Sequence, residues 1–142
     1  MNRFLIVQAR FYPEISDALL AGAEAALRAA GVAWDSVAVP GALEIPTVIR
    51  LAADTGRYDG FVALGCVIRG ETTHYETVCQ ESARGLTLLG IESRLSIGNG
   101  ILTVENESQA LERADPARGN KGGAAAEACL ALVALKTRFE AA

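Results

Sequence analysis

The chain has 142 residues, 51% of them hydrophobic and 21% charged, which suits one domain with its own core and excludes a disordered or low-complexity chain. A net charge of −4 with no basic stripe excludes a nucleic-acid binder held by phosphate contacts. Three cysteines and one histidine, at spacings that match no zinc or redox pattern, leave little for a metal centre and read as free thiols in a reducing compartment.

Phe4–Val7 is a short continuous apolar run, the pattern of a buried strand in a parallel sheet. Ala9–Pro13 breaks it. Ile15, Leu19, Ala23, Ala26 and Leu27 then fall at helical spacing, which predicts a helix over Glu14–Ala30 with Gly31 as its stop. Ser36–Val39 is a second strand, and Pro40-Gly41 a turn. Glu44–Asp54 returns to helix, with Pro46 tolerable only in its first turn. Gly60–Cys66 is a third buried strand, Val67–Thr73 a loop, and Thr73–Gly90 a long helix. Leu95–Val104 holds a fourth strand interrupted by Gly98 and Gly100. Ser108–Arg113 is a short helix with Ser108 as its N-cap, Asp115–Gly123 a polar loop, and Ala124–Phe139 a final helix.

Strands alternating with helices in this order predict an α/β three-layer sandwich, in which a four-stranded parallel sheet carries helices on both faces, over residues 1–142 as a single domain. No internal repeat or linker interrupts it. Mean hydropathy of +0.24, much of it alanine, hints at surface hidden in an oligomer. No apolar stretch is long enough to span a bilayer and nothing resembles a secretory leader, so the expectation is a cytoplasmic protein with no membrane partner.

Ligands of such folds bind beyond the carboxyl ends of the strands. Ala9–Pro13, Pro40–Glu44, Cys66–Thr73 and the residues after Leu102 occupy that edge. His74, in the first turn of the long helix, is a residue type that moves protons near neutrality, or else a surface histidine beside a cap. Gly70-Glu71-Thr72-Thr73 offers backbone N–H groups and hydroxyls at a helix start, as an anion site or as ordinary capping. Arg69, Arg113 and Lys121 are single cations, suited to a small anion or simply solvated. The Gly119-Asn120-Lys121-Gly122-Gly123 segment is not a P-loop, because its glycine spacing is wrong and no Ser/Thr follows the lysine. Phe11 either stacks on a heterocycle or folds onto the core. Glu44 either holds hydroxyls or faces solvent in a first helical turn. Cys66 is close in sequence to His74, but no convincing Ser-His-Asp or Cys-His set emerges.

Taken together, Arg10-Phe11, Val39-Pro40-Gly41-Ala42-Leu43-Glu44-Ile45-Pro46, Gly65-Cys66-Val67-Ile68-Arg69-Gly70-Glu71-Thr72-Thr73-His74-Tyr75, Ile101-Leu102-Thr103-Val104-Glu105-Asn106 and Gly119-Asn120-Lys121-Gly122-Gly123 resemble the signature blocks of lumazine synthases, in family order and over nearly the whole chain. The resemblance implies a flavodoxin-like fold and a transferase that condenses 5-amino-6-(D-ribitylamino)uracil with 3,4-dihydroxy-2-butanone 4-phosphate. The product is 6,7-dimethyl-8-ribityllumazine, the penultimate intermediate of riboflavin biosynthesis. It implies no metal and no organic cofactor; imine formation, phosphate elimination and ring closure need mainly proximity, orientation and proton transfer.

By the same resemblance, Phe11 stacks on the uracil, while Ala42, Leu43 and Glu44 hold the ribityl chain. Cys66, Val67 and Ile68 offer backbone groups to the pyrimidine. Glu71 and Thr72 bind the phosphate, His74 donates the proton, Arg113 clamps the phosphate and Lys121 reaches the pyrimidine. The implied assembly is a homopentamer with sites between adjacent subunits, Phe11, Glu44 and His74 coming from one and Arg113 and Lys121 from its neighbour. Asn99 and Leu43 stand where many members carry aromatics, which makes the pocket walls less aromatic. Two rival readings, a flavin- or pterin-binding module without chemistry and an inactive structural homologue, do not account for the complete Thr72, His74 and Arg113 set.

Overall fold

The computed structural model describes residues 2–141. Four strands, β1 (Arg3–Ala9), β2 (Ala33–Val39), β3 (Gly60–Ile68) and β4 (Ile97–Val104), form one all-parallel sheet in the order β2-β1-β3-β4. Five helices connect or follow them: α1 (Pro13–Ala29), α2 (Ile45–Ala53), α3 (His74–Glu92), α4 (Glu107–Ala114) and α5 (Lys121–Ala141). A single 3-10 turn, Ala42–Glu44, precedes α2. This is an α/β three-layer sandwich of the flavodoxin-like kind.

Two apolar clusters show how the layers divide. Phe4, Ile6, Val62, Leu64, Leu102 and Val104 point to one face of the sheet, under α1, α4 and α5. Leu5, Val7, Ala9, Phe61 and Ala63 point to the other, under Ile45 and Ile49 of α2 and Leu86 of α3. Successive residues of β1 and β3 therefore bury on opposite faces, and this explains why both strands read as unbroken apolar runs. From β1 the chain moves outward to β2; from β2 it returns past β1 to β3. Right-handed crossovers then place α1 on one face and α2 and α3 on the other. The connections diverge between β1 and β3, and a crevice opens there at the carboxyl edge.

Three local features differ from the sequence expectation. Gly98 and Gly100 do not interrupt β4, which pairs with β3 from Phe61↔Ile97 to Ile68↔Val104. A Cβ on Gly98 would overlap the Ala125 carbonyl and come within 2.7 Å of its carbon, so glycine lets α5 lie directly on the strand. The last helix starts at Lys121 rather than Ala124, and Gly122 in its first turn sits against the backbone of Leu19, where a Cβ would be 2.9 Å from the carbonyl carbon. Asn106, not Ser108, caps α4, its side chain accepting from Gln109 N at 2.9 Å.

Candidate active site

At the crevice between β1 and β3 lies a cleft of ≈ 410 Å³, lined from Ala9, Phe11 and Tyr12, from Pro40–Glu44, from Cys66–Ile68, and from His74 and Val78. Its size suits a small ligand. Each wall has a local cause. Pro13 opens α1 with Tyr12 as the preceding cap, and Arg10 is tied to Gln8 (2.8 Å) and to Asp17. These ties hold the short loop so that Phe11 projects, 73% exposed. Tyr12 meets the Phe11 ring edge-on, with centroids 5.0 Å apart. The exposed ring is therefore braced by a second aromatic that is itself half-buried.

The turn after β2 buries Ala42 and leaves Leu43 and Glu44 exposed. Glu44 Oε1 folds back towards Gly41, where a Cβ would lie 3.2 Å from it.

β3 runs four residues further than its pairing with β1, which ends at Gln8↔Leu64, while its pairing with β4 continues to Ile68. Cys66, Val67 and Ile68 thus have a ladder partner on one side only. Peptide groups of this stretch that face the cleft lack a strand partner and stand ready for a planar ligand with alternating donors and acceptors. The sequence expectation placed Val67 and Ile68 in a loop; they are strand. Burial pushes the Cys66 thiol up to about 11, so it is a neutral wall of the cleft and not a nucleophile.

His74 is the first residue of α3 and is exposed. Its backbone N–H donates to Thr72 Oγ1 at 3.3 Å, and Thr73 holds the cap position without a side-chain cap bond. Glu71 and Thr72 are exposed at the rim of the same helix start, beside the cleft but not among its lining residues. The Thr77 N–H of this turn already donates to Thr73 O at 3.2 Å; a helix start of this kind presents N–H groups that can meet an anion.

Three expected site residues lie elsewhere. Asn99 faces the far side of β4, in a groove with Leu86, Ile91, Leu95, Ile97 and Leu132. Arg113 ends α4, exposed, with Nη1 donating to Gln109 O at 3.2 Å. Lys121 starts α5 and is exposed. None of the three lines the cleft of its own chain. Conversely, Ala9, Tyr12, Pro40, Gly41 and Val78 line it without having been singled out. Tyr12 carried a usable signal, a second aromatic beside Phe11 in a ligand-edge loop. Among the described residues, no three His, Cys, Asp or Glu side chains converge as metal ligands would.

A crystallised fragment from Peptoclostridium difficile 630, described as a lipoprotein, superposes with a TM-score of 0.53 at 11% identity, over 92% of this chain and 96% of its own; that likeness concerns the fold alone. Proteins named 6,7-dimethyl-8-ribityllumazine synthase are far more similar. The one from Erythrobacter litoralis (strain HTCC2594) is 60% identical over 99% of this chain and 100% of its own length. Those from Sphingopyxis alaskensis (59%, 98% of both chains) and Bartonella tribocorum (60%, 95% of this chain and 90% of its own) are similar to the same degree. The sequence model of that family matches residues 1–137. On these grounds the chain belongs to the 6,7-dimethyl-8-ribityllumazine synthase family.

Proposed function

We infer that the chain is a transferase condensing 5-amino-6-(D-ribitylamino)uracil with 3,4-dihydroxy-2-butanone 4-phosphate to 6,7-dimethyl-8-ribityllumazine, with release of inorganic phosphate and water, the penultimate step of riboflavin biosynthesis. The observation that carries the assignment to a site is the cleft at the β1/β3 crevice, where an exposed aromatic, a carboxylate, a one-sided strand edge and the only histidine converge.

The uracil ring stacks on Phe11, and its polar edge pairs with the backbone of Cys66, Val67 and Ile68. This geometry uses the strand end as a third strand would. Ala42 and Leu43 line the path of the ribityl chain, and the Glu44 carboxylate accepts from its hydroxyls. Glu71 and Thr72 hold the phosphate at the amino end of α3, where N–H groups and the helix dipole favour an anion. His74, in the same turn, lies between ring and phosphate. It moves the proton from the attacking amine as the imine forms, and it protonates groups that leave. Both reactants are reactive in themselves, so holding them together supplies most of the acceleration.

Arg113, Lys121 and Asn99 complete the site from an adjacent subunit. What supports this is their position outside the chain's own cleft, together with the apolar surface next to Asn99: Ile91 is 72% exposed and Phe139 68%, with Leu132 and Leu135 between them. Surface of that kind is usually covered. The assembly is a homopentamer in which Arg113 clamps the leaving phosphate and Lys121 reaches the pyrimidine. The chain works as one domain, in the cytoplasm, on small molecules alone, without nucleic acid and without cofactor. No helix among the described residues is long and apolar enough to cross a membrane.

Absorbance-monitored formation of the lumazine from both substrates tests the reading. Wild type turns over; Arg113→Ala loses at least ~100-fold in kcat/KM, because a desolvated phosphate is left without its cation. His74→Ala loses only ~10-fold, less than usual for a proton-transfer residue because the reactants need little activation. A wild-type protein that assembles but makes no lumazine would refute the assignment.

A further inference from the structure

Arg69 is the cation nearest the phosphate loop in sequence, yet two of its three nitrogens already hold carboxylates of the protein itself. Nε donates to both oxygens of Glu105 at 2.9 and 3.0 Å, and Nη1 to Glu76 Oε1 at 2.6 Å. The guanidinium carbon lies 4.3 Å over the ring centre of Tyr75. The Arg69 backbone N–H donates to Val104 O at 2.9 Å. One side chain thus joins three elements: the end of β3, the first turn of α3, and the residue that follows β4. Between β3 and α3 run Gly70–Thr73, tied further by the bonds from His74 N to Thr72 Oγ1 and from Thr77 N to Thr73 O.

A guanidinium with two carboxylates and a ring face engaged has its charge neutralised where it stands, and its bonds run to the protein's own frame. What it does fix is distance. If Glu76 and Tyr75 are held against Glu105, the amino end of α3 cannot swing from the sheet, and Thr72 and His74 keep their places beside the cleft. We propose that Arg69 is a positioning residue for the butanone phosphate half of the site, a strut that holds the β3–α3 loop in its anion-binding shape by bridging Glu76 and Glu105. The inference rests on the roles given to Thr72 and His74 above.

The test combines amide hydrogen exchange over residues 69–77 with steady-state kinetics, each substrate varied in turn, on the intact assembly and its R69A, R69K and E105A variants. In R69A, exchange over residues 70–76 becomes about tenfold faster while the β3 core is unchanged. The KM for the butanone phosphate rises about tenfold, and that for the uracil stays within about twofold. R69K restores part of both, because an ammonium carries the charge but not the planar fork that bridges two carboxylates and stacks.

E105A separates a strut from a ligand. A strut loses its anchor, so the KM for the butanone phosphate rises; if Arg69 released from Glu105 bound phosphate directly, that KM would fall, and a fall overturns the proposal. Unchanged exchange over 70–76 in R69A overturns it too, as does an equal rise in both KM values. Faster loop exchange in R69A, in a wild-type background that makes no lumazine, counts for the strut and against the reaction.

Discussion

Phe11→Ala separates binding from folding. The side chain is 73% exposed, so only about a quarter of its burial free energy is at stake in folding, under ~1 kcal/mol. The edge-on contact with Tyr12 adds about 0.5–1 kcal/mol. The expected stability loss is therefore ~1 kcal/mol, a fall in Tm of roughly 3–4 °C for a chain of this size. Stacking of a heterocycle on an aromatic side chain contributes about 1–3 kcal/mol by alanine substitution. Loss of it weakens the uracil roughly 5- to 150-fold.

The assay is titration of the lumazine product, followed by its own absorbance or by calorimetry, beside thermal unfolding at one fixed protein concentration. Phe11→Leu sharpens the reading: it keeps most of the apolar contact, so Tm returns towards wild type, but it has no ring face, so affinity does not. Phe11→Trp returns affinity. Unchanged affinity in Phe11→Ala, or affinity recovered in Phe11→Leu, would refute stacking as the role of this ring.

Two further outcomes follow from the packing. Gly98→Ala forces a methyl into the Ala125 carbonyl; the obstacle is helix backbone, so the cost falls at the upper end for overpacking, ~3 kcal/mol, or about 10 °C in Tm, and a Tm within about 2 °C of wild type would show that α5 yields freely. Cys66, pushed up to about 11 by burial, is thiolate in about one molecule in ten thousand at neutral pH. Its alkylation, followed on the peptide that carries it, should therefore keep rising about tenfold per pH unit beyond pH ~9, and a plateau below that pH would mean that the cleft wall is wetter than the structure has it. Cys66→Ser should retain turnover, since the residue contributes backbone and shape.

Much of the architecture was legible because period and length are local properties. The apolar runs Phe4–Val7 and Gly60–Cys66 became β1 and β3, and the positions Ile15, Leu19, Ala23 and Leu27 became the buried stripe of α1. What misled were glycines. In a single sequence Gly98 and Gly122 read as punctuation, whereas here they are points of close approach between α5 and its neighbours, a property of two segments far apart in the chain. β2 was read short at its amino end because it is an edge strand, with Trp34, Asp35 and Ser36 facing a partly open side. The cleft was legible in outline: Phe11, Ala42–Glu44, Cys66–Ile68 and His74 come from loops already placed at one sheet edge. Val78 needed three dimensions, since it is a buried position of α3 that reads simply as core. That Arg113 and Lys121 would stand apart from that cleft is invisible to periodicity, and it came only from family resemblance; the place of Asn99 outside it was not foreseen.

Asn99 has a consequence for the chain before it has any neighbours. β4 is one of the two edge strands of the sheet, and an open edge is a template on which foreign strands can add. The Asn99 side chain takes the N–H of Ile101 at 2.9 Å, which removes one outward donor from the middle of that edge. An aromatic at this position would leave the donor free and add an adhesive face beside it. A newly made chain meets many identical copies, and we infer that the amide there serves as a gatekeeper against edge-to-edge aggregation. Asn99→Phe should accordingly lower the soluble fraction during expression, even if the finished protein bound its substrate no worse.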